Sequence, residues 1–252
     1  MQAKNIHEVI ALLTDIIEEN KEAKSELAYF PVLYRLVTEK VRDGIEEGFF
    51  EDGQRMEELD VTFANRYLKA YTQFKAGEQP SECWLVAFQA ADRYWVTILQ
   101  QLLLGINSHI NLDLGIAAAE IAPGGKLCGL YTDFNRINDI LSELTDGVQA
   151  EINKVSPVIG VIDWFAGKLD ERIANFSIEI ARIGAWDFAN AYNSAKADKR
   201  EALMAKRDAS IAWLGRDLRN PGWFIGIFVK FVRLFETKSV DKVIRVLEAK
   251  SK

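Results

Sequence analysis

The stretch GINSHINLDLGIAAAEIA at residues 105–122 is apolar round the whole circumference of a helix, yet it sets Asn107, His109, Asn111 and Asp113 within seven positions. A helix without a polar face must have neighbours on every side, so this segment predicts a chain wrapped around a central rod. A buried amide, imidazole or carboxylate without a partner costs about 1–3 kcal/mol or more, so each of the four polar groups demands a polar group or water. At about 100° per residue, His109 and Asp113 point one way, and Asn107 and Asn111 point roughly the opposite way. Leu102, Leu104, Ile106, Ile110, Leu112 and Leu114 fill the remaining directions.

The rest of the chain reads as helices that could supply the wrapping. Asn5 with Glu8 makes a capping box ahead of Val9, Leu12, Leu13, Ile16 and Ile17. Pro31 suits the first turn of a second helix, which Gly48 stops, and a third spans about 54–76 and ends at Gly77. From Pro80, with Ser81 placed as a cap, a long apolar segment runs through Trp84, Phe88, Trp95 and Leu99 into the central stretch. Further helices are predicted at about 133–153, 157–167, 169–196, 199–217, 222–236 and 239–250. Alternating strand patterns are nearly absent. The expectation is an all-α, single-domain multi-helix bundle over residues 1–252, built around one long buried central helix; 252 residues, 49% of them hydrophobic, suffice for one sizeable core.

Polar partners for the central helix can be sought on three other segments. On the third helix Asp60, Phe63, Ala64, Tyr67, Tyr71 and Phe74 share one face, with Arg66 beside it. Asp133, Asn135 and Asn138 open a later helix, where Asp133 could equally be a simple cap. Further on, Glu179, Arg182 and Trp186 share a face distinct from the apolar face of Phe176, Ile180 and Ile183. The candidate site is therefore His109 and Asp113 as catalytic groups, with Asn107, Asn111, Asp60, Tyr67, Tyr71, Asp133, Arg182 and Trp186 as ligand-binding groups.

The segment LLLGINSHINLDLGIA, preceded by RYLKAYTQF and a Trp-containing helix and followed by DFNRIND, resembles a group of bacterial proteins sharing domain of unknown function 5995, marked by N-x-H-I-N-x-D-L. The resemblance covers about residues 30–220 and leaves out the first helix and the segment after Pro221. It implies an all-helical bacterial protein without an established activity, so it locates a site and names no reaction.

Three chemistries compete for that site. Asp113 could orient His109 as a general base or acid. His109, Asp113 and a carboxylate such as Asp60 or Asp133 could hold a metal in a hydrolase, although the chain has only two histidines and no E-x-x-H pattern, and no metal ligand is assigned. Alternatively, the buried polar groups satisfy one another and merely fix the helices in register. NDILSELTD places Asn138, Ser142 and Asp146 at the spacing of a terpene-cyclase magnesium motif, but no aspartate-rich partner lies upstream. No phosphate-cradling or nucleophile-elbow motif occurs, so nucleotide-dependent and triad-hydrolase readings have no support, and the sequence leaves any cofactor unknown.

Charge and composition narrow the partners. The net charge of −6 argues against nucleic acid. Residues 1–60 carry 15 acidic against 7 basic side chains, whereas 196–252 carry 7 against 14, so the two ends could pack together. Cys83 and Cys128 read as small buried hydrophobes. PGWFIGIFVKFVRLFE at 221–236 puts Trp223, Phe224, Ile227, Phe228, Phe231, Val232, Leu234 and Phe235 on a wide arc, with Lys230 and Arg233 on the narrow remainder. Core packing is its first reading, with a dimer contact, a peripheral membrane contact or the wall of an apolar pocket as alternatives. The N-terminus lacks a secretion-signal pattern, which predicts a cytoplasmic protein. An apolar small molecule is the expected guest.

Overall fold

The computed structural model describes residues 1–122, 127–141, 155–156 and 178–249. The helices expected over 142–153 and 157–167, the first part of that at 169–196, and Ser142 and Asp146 lie outside the described residues. The fold is all-α, and no strand occurs among the described residues. The first three helices are α1 (Ile6–Glu22), α2 (Tyr29–Glu46) and α3 (Gly53–Lys75). Asn5 accepts from the Glu8 amide, which satisfies one of the free donors at the start of α1, while the Glu8 carboxylate takes the Lys4 amide just ahead of the cap instead of the Asn5 amide. Gly48 and Gly77 adopt φ of 70° and 74°, the left-handed conformation in which a helix end turns its last carbonyls aside.

The long apolar segment from Pro80 is not one helix. It forms α4 (Glu82–Ala90), turns over 91–97, and restarts as α5 (Ile98–Ser108), where Thr97 and Gln100 make a reciprocal capping box. From there one rod runs through a wider π-helical turn at His109–Leu114 into α6 (Gly115–Ile121). Ile98–Ile121 is long and apolar enough to cross a membrane by length and composition, but 78% of its apolar window is buried in the fold, as befits a core helix. The remaining helices are α7 (131–141), α8 (Ile178–Ser194), α9 (Ala197–Arg219), α10 (Gly222–Phe235) and α11 (Val240–Glu248).

Carboxylates distant in sequence cap several of these helices. Asp208 of α9 takes the Glu82 and Cys83 amides at 2.7 and 2.9 Å, while the Ser81 side chain caps nothing. Asp133 takes the Glu51 and Asp52 amides ahead of α3, both at 2.8 Å, and Glu236 takes the Ile98 amide at 3.1 Å. Each bond places a negative charge at the positive end of a helix dipole and ties two distant segments.

Two amphipathic readings are inverted. On α8, Ile180 and Ile183 are exposed, whereas Ala181, Arg182, Ala185 and Ala189 face inward. Small side chains are needed there because α8 crosses α6 at Gly115, where an added Cβ would stand 2.6 Å from the Ala185 carbonyl oxygen. On α10, Arg233 is buried at 3% exposure, and Trp223, Ile227, Phe231, Leu234 and Phe235 face outward, with Trp223 at 80%. Arg233 is drawn in by Glu26, by Glu236 at 3.1 Å and by the Tyr94 carbonyl at 2.9 Å, so the helix rotates to satisfy its charge. The acidic and basic ends do meet, through this cluster and through α11 packed on α2. Cys83 is buried, but Cys128 is exposed.

Candidate functional site

The site begins with the π-helical turn, where Arg207 of α9 donates to the Asn111 carbonyl at 2.9 Å. Such turns recur at functional positions because they re-aim side chains inside an otherwise regular helix. One face presents Asn107 and Asn111 to α9: Asn107 donates to the Ile211 carbonyl at 3.1 Å, and Asn111 donates to the Asn107 side-chain oxygen at 3.1 Å. They act as tethers on the side of the rod away from the imidazole.

The opposite face presents His109 and Asp113 to α2, α3 and α4. Both Asp113 oxygens are occupied, one by Arg66 Nε at 2.9 Å and the other by Trp84 Nε1 at 2.8 Å. His109 Nδ1 stands 3.8 Å from Asp113 Oδ2, too far for a hydrogen bond. Neither imidazole nitrogen has a partner among the described residues, although the ring is 4% exposed. Phe63 stacks on it at 3.5 Å with planes 10° apart, Tyr34 lies at 4.3 Å, and Phe30, Trp84 and Tyr67 complete the wall. Gly105 admits Phe30 to that wall, since a Cβ there would fall 2.4 Å from its ring. Phe63 and Phe30 are only half-buried, so they stand between the imidazole and the exterior.

The electrostatics follow from this enclosure. Burial lowers the basicity of His109, against the opposing pull of Asp113, so the ring is neutral near pH 7. Asp60, one turn before Phe63 on α3, is pushed up to about 7 by burial and by the charge of Glu57, and its Oδ2 is buried without a partner. Burial raises the Tyr34 hydroxyl well above its ordinary value, aided by the charges of Asp60 and Asp113, and Tyr67 is raised by burial first.

Residues 6–221 match a protein family described as a family of unknown function, DUF5995. The chain belongs to DUF5995. Neither a curated protein nor a solved structure matches it. The matched span contains every residue of the candidate site, whereas α10 and α11 lie beyond it. Within this DUF5995 chain the remaining sequence candidates do not join the imidazole. Tyr71 sits further along α3, where it accepts from Asn20 at 2.7 Å and donates to Glu19 at 3.1 Å. Asp133 is held by the amides before α3 and by Arg136 at 3.0 Å. Arg182, which burial pulls down to about 9, donates to Asn138 at 2.6 Å and to the Phe134 carbonyl, and lies over the Phe134 ring. Trp186 packs on the same phenyl ring at 4.9 Å. Among the described residues nothing joins this second cluster to His109, and no group of three His, Cys, Asp or Glu side chains is placed to hold a metal ion.

Tyr34, Phe30, Trp84 and Arg66 complete the site without having been among its sequence candidates. A signal existed for two of them. An indole N–H inside an apolar helix requires an acceptor, and a buried aspartate requires a cation, so Trp84 and Arg66 could have been assigned to Asp113. Tyr34 and Phe30 carry no such signal, because aromatic residues on an amphipathic helix are ordinary core.

Proposed function

We propose that this chain is a cytoplasmic small-molecule protein whose site is the aromatic box around His109, with a compact, largely apolar guest that offers a hydrogen-bonding group to the imidazole. One observation carries the reading: both nitrogens of a buried neutral imidazole lack partners among the described residues. Each orphaned polar group costs about 1–3 kcal/mol, and a guest that bonds the ring would remove that penalty. Tyr34 lies against an imidazole lowered below its usual value and feels the charge of a carboxyl raised to about 7, a combination suited to general acid and base work. Asp113 holds Arg66 and Trp84 and thereby positions the rod, while Phe63 must swing aside for entry.

A second reading is favoured by the saturation of Asp113. With both its oxygens engaged by α3 and α4, the polar centre also serves to pin these helices to the rod, and His109 would then be only a wall of the core. His109→Phe separates the two. On either reading, replacing an unpartnered imidazole by a phenyl ring of similar shape should leave stability unchanged or raise it by about 1 kcal/mol. If the box takes a guest, native mass spectrometry of protein purified from cells will show a small-molecule mass increment on the parent chain, and His109→Phe will lack it. No increment on the parent, or the same increment on the variant, overturns the site.

A further inference from the structure

We infer that α10 and the 91–97 turn form a docking surface for an anionic phospholipid bilayer. This rests on a part of the molecule separate from the imidazole; α10 lies beyond the DUF5995 match, whereas the 91–97 turn and Arg219 lie within it. The observations are geometric. The outward face of α10 carries Trp223, Ile227, Phe231, Leu234 and Phe235, and the neighbouring turn adds exposed Tyr94 and Trp95, so two segments far apart in sequence present aromatic and aliphatic groups at one surface. Rotating α10 by half a turn would hide these groups but would expose the Arg233 cluster, and the buried ion pairs fix the rotation. A patch of this kind on a soluble fold marks an interaction surface.

The groove between the two segments, about 660 Å³, decides the chemistry of the partner. Arg93, Arg219 and Lys230 line it together with Trp95, Trp223 and Ile227, and among the described residues no acidic side chain does. Arg219 Nε and Nη1 are buried without a hydrogen-bond partner among the described residues, and the nearby charges of Arg93 and Arg216 oppose its own. Arg216 is already paired with Glu82, whereas Lys230 lies 5.9 Å over the Trp95 ring at the mouth of the groove. Cations edged by tryptophans, beside an apolar helix face, match the layering of a membrane interface: phosphates above, acyl chains below, aromatic rings between. A second copy of the chain fits less well, because a two-fold contact would bring the cationic groove against itself.

The test is sedimentation of the full-length protein with vesicles at low salt, using pure phosphatidylcholine and phosphatidylcholine mixed with phosphatidylglycerol. Two variants accompany it, Trp223→Ser with Ile227→Ser, and Arg219→Gln with Lys230→Gln, each checked for an unchanged thermal melt. The parent should bind only the mixed vesicles and release as salt is raised, and each double variant should bind about tenfold more weakly or worse. Absence of binding to mixed vesicles, equal binding to both kinds, or full binding by either variant overturns the proposal. So does a dimer by analytical ultracentrifugation that the Trp223/Ile227 variant abolishes, which would make a second copy the occupant. Saturable binding of inorganic phosphate without vesicle binding would instead identify a soluble anion and overturn it equally.

Discussion

The imidazole box and α10 break the usual sorting of polar and apolar groups in opposite directions. Around His109 a polar ring is shut among aromatic residues, with no hydrogen-bond partner among the described residues. On α10 an arginine is shut inside with each of its three nitrogens hydrogen-bonded, and Trp223, Phe231 and Phe235 are left outside. On α10, burial therefore follows the availability of partners more closely than the hydropathy of the side chain. A charge that finds carboxylates and a carbonyl can go in, and the apolar residues on the far side of the helix follow the rotation out. An imidazole unbonded among the described residues also goes in, at an energetic cost, and that contrast is what the proposed site rests on.

The contrast can be tested from its strongest contact downward. Asp113→Ala should be the most damaging single change, about 3–5 kcal/mol by chemical denaturation, because it orphans the Trp84 N–H and strips Arg66 of its buried counter-ion. A loss below about 1 kcal/mol would mean that the polar centre does not hold the rod. Arg233→Met should cost about 2–3 kcal/mol, since it leaves Glu26 and Glu236 without their cation, and it should expose α10 to limited proteolysis before the core melts. If α10 stays protected in that variant, the rotation argument fails.

A pH series sharpens the same comparison. Asp60 has its folded-state value raised from 3.8 to about 7, so the folded form binds more protons than the unfolded chain in that interval and stability falls as pH rises through it. Asp60→Asn should flatten that limb and be the more stable protein by about 2 kcal/mol near pH 8. His109 works with the opposite sign: its lowered value means that stability is lost as pH falls below about 6.5, and His109→Phe should remove that limb.

Much of this was legible beforehand, residue by residue. The helical spacing of α1 to α3, the stops at Gly48 and Gly77, the burial of the rod and the opposed directions of Asn107 and His109 all follow from local rules of turn geometry and side-chain spacing. The turn at 91–97 was not legible, because Trp84, Phe88, Trp95 and Leu99 read as one continuous apolar run until Thr97 and Gln100 are seen to start a new helix. Nor was the grouping of the polar candidates. Asp133 and Arg182 read as possible neighbours of His109, yet the free amides ahead of α3 claim the first and the Asn138 and Phe134 oxygens the second. Periodicity places a side chain on one side of its helix and says nothing about which other helix lies there.

By itself the sequence determined an all-helical chain built on a central rod with buried polar groups, because helix propensity, capping and apolar spacing are local properties of consecutive residues. Only the tertiary structure decided that His109 would be boxed by aromatic rings, that Arg66 and Trp84 would claim Asp113, and that α10 would show its apolar face. Those outcomes depend on competition among distant groups for a limited set of partners, and such a competition has no reading in any one segment.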